Sequence, residues 1–86
     1  MRAEELRHSL KDAPFRPIRL HLGNGCTADI RHPEMGIVSR SLVAVGEAGK
    51  GGVADRILHF NLLHIVEIES MEANGRWKTR RPLPGS

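Results

Sequence analysis

Apolar and polar residues alternate twice between residues 18 and 31, on either side of a glycine-containing turn. Every second residue is apolar in Ile18–Leu22, and again in Cys26–Arg31. A period of two is typical of half-buried strands. The intervening Asn24-Gly25 pair favours a two-residue type I′ turn, in which both central residues have positive φ. We therefore predict a β-hairpin, with Cys26 as a packed, inward-facing thiol.

Residues 2–13 show helical spacing instead, with Ala3, Leu6, Leu10 and Ala13 on one face. Pro14 ends the predicted helix, because the residue before a proline avoids helical angles. A helix of about three turns is marginal alone in water. It is therefore expected to dock its leucine stripe on the rest of the domain.

Further apolar segments predict short strands with brief connections. Met35–Ser39 and Leu42–Val45 form either two short strands or one bent strand, and Val53–His59 and His64–Glu69 follow. The link Phe60–Leu63 allows a turn or one helical turn but no crossover helix, so neighbouring strands pair antiparallel. The pattern predicts a mainly β domain with an N-terminal α-helix, in which about five antiparallel strands bend into a small closed barrel.

The positive charge is concentrated near the C-terminus. Residues 1–70 contain nine Lys or Arg and nine Asp or Glu, whereas residues 71–86 contain four basic residues and one acidic residue. We predict one neutral domain over residues 1–70, followed by a basic, flexible tail over residues 71–86. No segment approaches the ~20 apolar residues of a membrane span, and no secretory signal is visible, so no membrane association is expected and the cytoplasm is the expected compartment.

The tail carries a pattern suited to single-stranded nucleic acid. Four cations surround one indole, and such a segment can neutralise phosphates while Trp77 stacks on a base. The alternative is a solvated tail with Trp77 folded back on the domain. The predicted nucleic-acid-binding residues, including three near the short link, are Phe60, Asn61, His64, Arg76, Trp77, Lys78, Arg80 and Arg81.

The sequence gives weaker indications of a catalytic site or a metal site. The histidines in or beside strands, and His32 with Glu34, show no recognised ligand spacing, so outward-facing strand positions are preferred over a metal site. The single cysteine excludes an internal disulfide and a multi-cysteine zinc site. Lys50 in Gly46–Gly52 lacks the Gly-Lys-Ser/Thr context of a phosphate-binding loop, so a flexible hairpin loop is preferred. We expect no enzyme activity, no metal and no cofactor.

The helix, the Asn-Gly hairpin, the glycine-bearing loop and the two final strands with a short link resemble the Sm-like family, which includes the Hfq-like RNA chaperones. Arg16–Gly25 and Ile57–Ile68 carry the resemblance. It implies an SH3-like/Sm-like barrel and RNA binding. The chain departs from the family at Ala28-Asp29-Ile30, where the second strand usually carries a glycine, and at His59-Phe60-Asn61, where the RNA chaperones have an aromatic-Lys-His triplet. Short bacterial proteins with Pro-Phe-Arg-Pro, His-Pro-Glu and Leu-Leu-His-Ile are more similar still, and imply no function.

A chain of 86 residues has a thin core, and partner copies can stabilise it. The Sm-like resemblance implies a homo-oligomer that forms through strand edges 53–59 and 64–69. The sequence therefore predicts a non-enzymatic, self-assembling module that binds RNA or single-stranded nucleic acid. The alternative is a protein–protein interaction or regulatory domain.

Overall fold

A computed structural model of the protein describes residues 2–48 and 54–82. One helix and seven strands lie within these ranges, together with two 3₁₀ turns, Pro33–Met35 and Leu62–His64. In chain order they are α1 (Ala3–Leu10), β1 (Ile18–Leu22), β2 (Thr27–Ile30), β3 (Gly36–Val38), β4 (Leu42–Ala48), β5 (Ala54–Asn61), β6 (Ile65–Met71) and β7 (Trp77–Pro82). The mainly β architecture with one N-terminal helix is confirmed.

The described strands form two antiparallel sheets, one with the order β2-β1-β6-β7 and one with the order β3-β4-β5. The prediction of five strands is wrong, and between residues 2–48 and 54–82 the pairings do not close a single barrel. One reason is the Pro33–Met35 turn between β2 and β3, because proline cannot donate to a strand ladder. A second is β7, which extends the first sheet by one strand.

The core lies between the inner faces of the two sheets. Ile18, Leu20 and Ile30 contribute from the four-stranded sheet, and Val43 and Val45 contribute from the three-stranded sheet. These positions follow the alternation read from the sequence, which puts every second strand residue on one face.

The helix closes this core, because Leu6 is fully buried and Leu10 packs partly against the same cluster. It ends at Leu10, earlier than the predicted residue 13. At eight residues it is far shorter than a bilayer span, and the described part of the chain has no helix able to cross a membrane.

The β1–β2 hairpin is confirmed, but its turn is not type I′. Gly25 has φ 87° and no other residue type in the described chain has positive φ, so Asn24 does not adopt the required angle. The Gly25 N–H donates to Leu22 O, and the Cys26 N–H donates to the Asn24 side-chain oxygen. This is the longer hairpin loop in which one left-handed glycine follows an ordinary turn. The loop includes Cys26, which is exposed, so the prediction of a packed thiol is wrong.

A second hairpin of the same construction joins β6 to β7. The Gly75 N–H donates to Glu72 O, Gly75 has φ 82°, and the Asn74 side chain accepts from the Arg76 N–H. Residues 77–82 therefore pair in the sheet and form a strand within the segment predicted as a flexible tail. Residues 83–86 lie outside the described ranges.

Two other predicted segments change their bounds. Gly46–Ala48 belongs to β4, so it does not form part of a glycine-rich loop, and residues 49–53 lie outside the described ranges. The predicted link Phe60–Leu63 becomes the end of β5 followed by the Leu62–His64 turn, which is the second of the two predicted alternatives, a turn or one helical turn. This link lets β5 and β6 join different sheets.

Candidate functional site

Charged side chains occupy the outward face of the four-stranded sheet. We define this charged face by Arg19, His21, Asp29, Glu67, Glu69 and Trp77. The strand register places Arg19 between Asp29 and Glu69, and places His21 opposite Glu67. On β1 and β2 these side chains alternate with the buried residues of the core, so the same period of two that builds the core also aligns them. On β6, Glu67 and Glu69 lie on either side of the buried Ile68.

Arg19 is held by two partners on this face. Its Nε and one terminal nitrogen donate to the two Asp29 carboxylate oxygens at 2.8 and 3.0 Å. Its guanidinium carbon lies 4.2 Å from the centre of the Trp77 ring, within the range of a cation–π contact. Hydrogen bonding by Asp29 raises the pKa of Arg19 above its usual value. The ion pair and the ring therefore fix this cation in place.

His21 lies beside two carboxylates of β6. Its Nε2 is 2.5 Å from Glu69 Oε1 and 3.7 Å from Glu67 Oε2, and the three side chains are partly exposed. One ligand atom from each of them lies within 4.8 Å of the other two, which makes this a cluster of the kind that can hold a metal ion. The histidine and the two glutamates are far apart in sequence, and only the β1–β6 pairing brings them together.

The outward face of the three-stranded sheet carries exposed apolar side chains, with His59 and Asn61 on the same side, opposite Ala44 and Leu42. We define this apolar face by Ile37, Leu42, Ala44, Gly46 and Ile57. Ile37, Leu42 and Ile57 are 70%, 50% and 58% exposed, which is unusual for large aliphatic side chains. The register aligns Ile37 with Ala44, and Gly46 with Ile57, so these residues share one side of the sheet.

The three predicted nucleic-acid-binding residues near the short link differ in burial and in their contacts. Phe60 packs against the core, and the Asn61 side chain accepts a hydrogen bond from the Leu63 N–H, which caps the 3₁₀ turn. His64 is exposed. Phe60 and His64 line an open cleft of about 900 Å³, together with His59 and Arg56. The structure therefore brings two of the three residues to one cleft and gives Asn61 a structural contact.

The other five predicted residues lie on or beside β7, in the other sheet. Arg76 and Lys78 are exposed, and Trp77 is half-buried against Arg19. Arg80 and Arg81 belong to the strand, and their side chains lie outside the description. The eight predicted residues therefore lie in two parts of the fold, three at the end of β5 and in the turn that follows it, and five on or beside β7.

The predicted oligomer edges are also changed by β7. Strand β6 pairs with β1 on one side and with β7 on the other, so the edge predicted at residues 64–69 is already occupied within the chain. This part of the prediction is wrong. Among the described strands β5 pairs only with β4, which leaves its other side as a sheet edge.

Comparison of the chain with protein-family models, with curated proteins and with solved structures gave no match.

Proposed function

We propose that the protein is a non-enzymatic assembly module, and that the apolar face binds a second copy of this chain. The observation that carries this proposal is the exposure of Ile37, Leu42 and Ile57 on one side of one sheet. Contiguous exposed apolar surface is typical of protein–protein contacts. The charged face on the other sheet offers no comparable apolar surface.

The shape of the apolar face suits a second copy. Ala44 and Gly46 lie on β4 between the larger Ile37 on β3 and Ile57 on β5. Leu42 stands at one end of the same middle strand, so large and small side chains are mixed on this face and two copies can interdigitate about a two-fold axis. Such an axis places the same patch on both subunits, so the face needs only to complement itself.

The small size of the domain supports the same proposal. Among the residues that the structure describes, six large side chains are fully buried, and they belong to α1, β1, β2 and β4. A core this thin leaves modest stability, and burial of further aliphatic surface between copies adds to it. The element order from α1 to β6 supports an Sm-like arrangement as part of this proposal, with association through a sheet face because β7 covers the β6 edge.

The experiment is the molar mass of the purified chain, measured by light scattering over a range of concentrations. We expect the wild type to be a dimer and Ile57→Lys to be a monomer with an unchanged circular dichroism spectrum. Thr27→Lys adds the same charge at an exposed position on β2, in the other sheet, and serves as the matched control. A monomeric wild type, or an Ile57→Lys protein that remains a dimer, would contradict the proposal.

A second candidate function, binding of single-stranded nucleic acid, is favoured by the cleft that contains Phe60, His64 and Arg56. An aromatic ring beside a cation can contact a base and a phosphate. Titration with mixed oligonucleotides at two salt concentrations tests it, because phosphate contacts make binding salt-dependent. Arg56→Ala is expected to weaken binding more than Arg76→Ala, because Arg76 lies beside the other sheet. Absence of binding at low salt, or binding indifferent to salt, removes this candidate.

A further inference from the structure

We infer that His21, Glu67 and Glu69 form a binding site for one divalent first-row transition metal ion of the Zn²⁺ type. We call these residues the His21 cluster. This inference concerns the charged face and does not depend on assembly through the apolar face. Three ligand side chains on two paired strands lie close together, and the two carboxylates bring negative charge to this position.

The backbone fixes the ligand positions. His21 lies opposite Glu67 in the β1–β6 ladder, and Glu69 follows Glu67 by two residues, so all three point to the same side of the sheet. β1 and β6 are both paired on each side within the chain, which makes them inner strands. Sites on rigid strands hold their geometry better than sites on loops.

The distances match a site that closes on an ion with small side-chain adjustments. Two ligands that are each ~2.1 Å from a metal lie about 3.0–3.4 Å from one another at tetrahedral or octahedral angles. The His21 nitrogen is 2.5 Å from one carboxylate and 3.7 Å from the other, on either side of that range. The Glu67 and Glu69 side chains are 38% and 20% exposed, and the inference requires a rotation of their carboxylates that equalises these separations.

The charge of the surroundings favours a cation at this position. With His21 neutral, the cluster carries two negative charges. Arg19 lies opposite Glu69 in the β1–β6 ladder, and its guanidinium is bound to both oxygens of Asp29. On the other side of β6 the register places Thr79 opposite Glu69 and Pro82 opposite Glu67, and neither residue is charged.

The ligand types select the class of ion. One imidazole and two carboxylates suit Zn²⁺ and related transition ions, whereas Mg²⁺ and Ca²⁺ prefer oxygen ligands alone. Three protein ligands on a partly exposed face leave room for water as a further ligand. The competing arrangement is a proton on His21, which forms an ion pair with the two glutamates and needs no metal.

The test is calorimetric titration of the full chain, first stripped of metal with a chelator, with Zn²⁺ and separately with Mg²⁺. We expect one Zn²⁺ per chain, and a loss of affinity of at least about tenfold in His21→Gln and in Glu67→Gln. The matched controls are His64→Gln and Glu34→Gln, which remove an exposed histidine and an exposed glutamate elsewhere. Both controls are expected to bind Zn²⁺ as the wild type does.

Two further measurements separate metal binding from folding. The melting temperature of each variant in chelator shows whether it folds, and Zn²⁺ is expected to raise it in the wild type but not in His21→Gln. The NMR signals of the His21 ring are expected to shift on addition of Zn²⁺. Unchanged affinity in both cluster variants would place the ion elsewhere. Absence of binding at millimolar Zn²⁺ would show that the three side chains form an ion pair without a metal. Either result overturns the inference.

Discussion

Gly25 and Gly75 have the same conformation in two hairpins of the same construction. A side chain at either position meets no steric neighbour, so a substitution there tests backbone strain alone. We expect Gly25→Ala to lower the free energy of unfolding by about 1 kcal/mol, because an L-residue disfavours positive φ. Gly23→Ala is the control, since Gly23 has no positive φ and its nearest neighbours would be 3.8 Å away. Urea denaturation measures both, and equal losses in the two variants would refute the strain argument.

Arg19 provides a second prediction at the scale of single residues. Lysine keeps the charge but loses the two-point contact with Asp29 and the flat stacking on Trp77. We expect Arg19→Lys to destabilise the fold by about 0.5–1 kcal/mol in urea denaturation. Arg56→Lys changes an exposed ion pair with Glu47 and is expected to have no measurable effect. If the two variants behave alike, the ring and the paired hydrogen bonds contribute nothing.

At the scale of elements, α1 docks on the core with Leu6 fully buried and with Ala3 and Leu10 packed beside it. Leu6 is fully buried, and Leu63 is 80% exposed. We expect Leu6→Ala to cost about 2–4 kcal/mol, because it leaves a cavity in the core as well as losing apolar burial. Leu63→Ala removes the same atoms and is expected to leave stability unchanged. Urea denaturation followed by circular dichroism compares them, and a small loss in Leu6→Ala would show that the helix is not a cooperative part of the domain.

The elements that the sequence predicts well are those with local signals. Alternation in Ile18–Leu22 and the Asn24-Gly25 pair located the first hairpin, and the leucine spacing located α1. The second hairpin had an equivalent signal in Asn74-Gly75, but β7 is rich in charged residues and lacks the apolar alternation that marks a half-buried strand. An edge strand needs little apolar surface, so composition alone does not reveal it.

The His21 cluster shows what a single sequence cannot supply. Glu67 and Glu69 have the spacing of two residues on one face of a strand, and His21 occupies the corresponding face of β1. The missing information is which strands become neighbours and in what register. Register depends on the packing of the two inner faces, which is a property of the whole domain.

At the scale of the whole molecule, the proposed association through the apolar face would make stability depend on concentration. Binding between folded copies favours the folded state by mass action. We therefore expect the melting temperature of the wild type to rise with protein concentration, and that of Ile37→Lys to stay constant. Differential scanning calorimetry over a hundredfold range, about 1–100 μM, measures this. A wild-type melting temperature that does not change with concentration would contradict association in this range.

The two sheets share one core, and their outward faces therefore look in different directions. When two copies join by their apolar faces, both charged faces remain on the exterior of the pair. The dimer then presents two equivalent His21 clusters to its surroundings. A molecule that carries two suitably spaced groups would engage both clusters at once, and this avidity would follow from the symmetry of the pair without any additional contact.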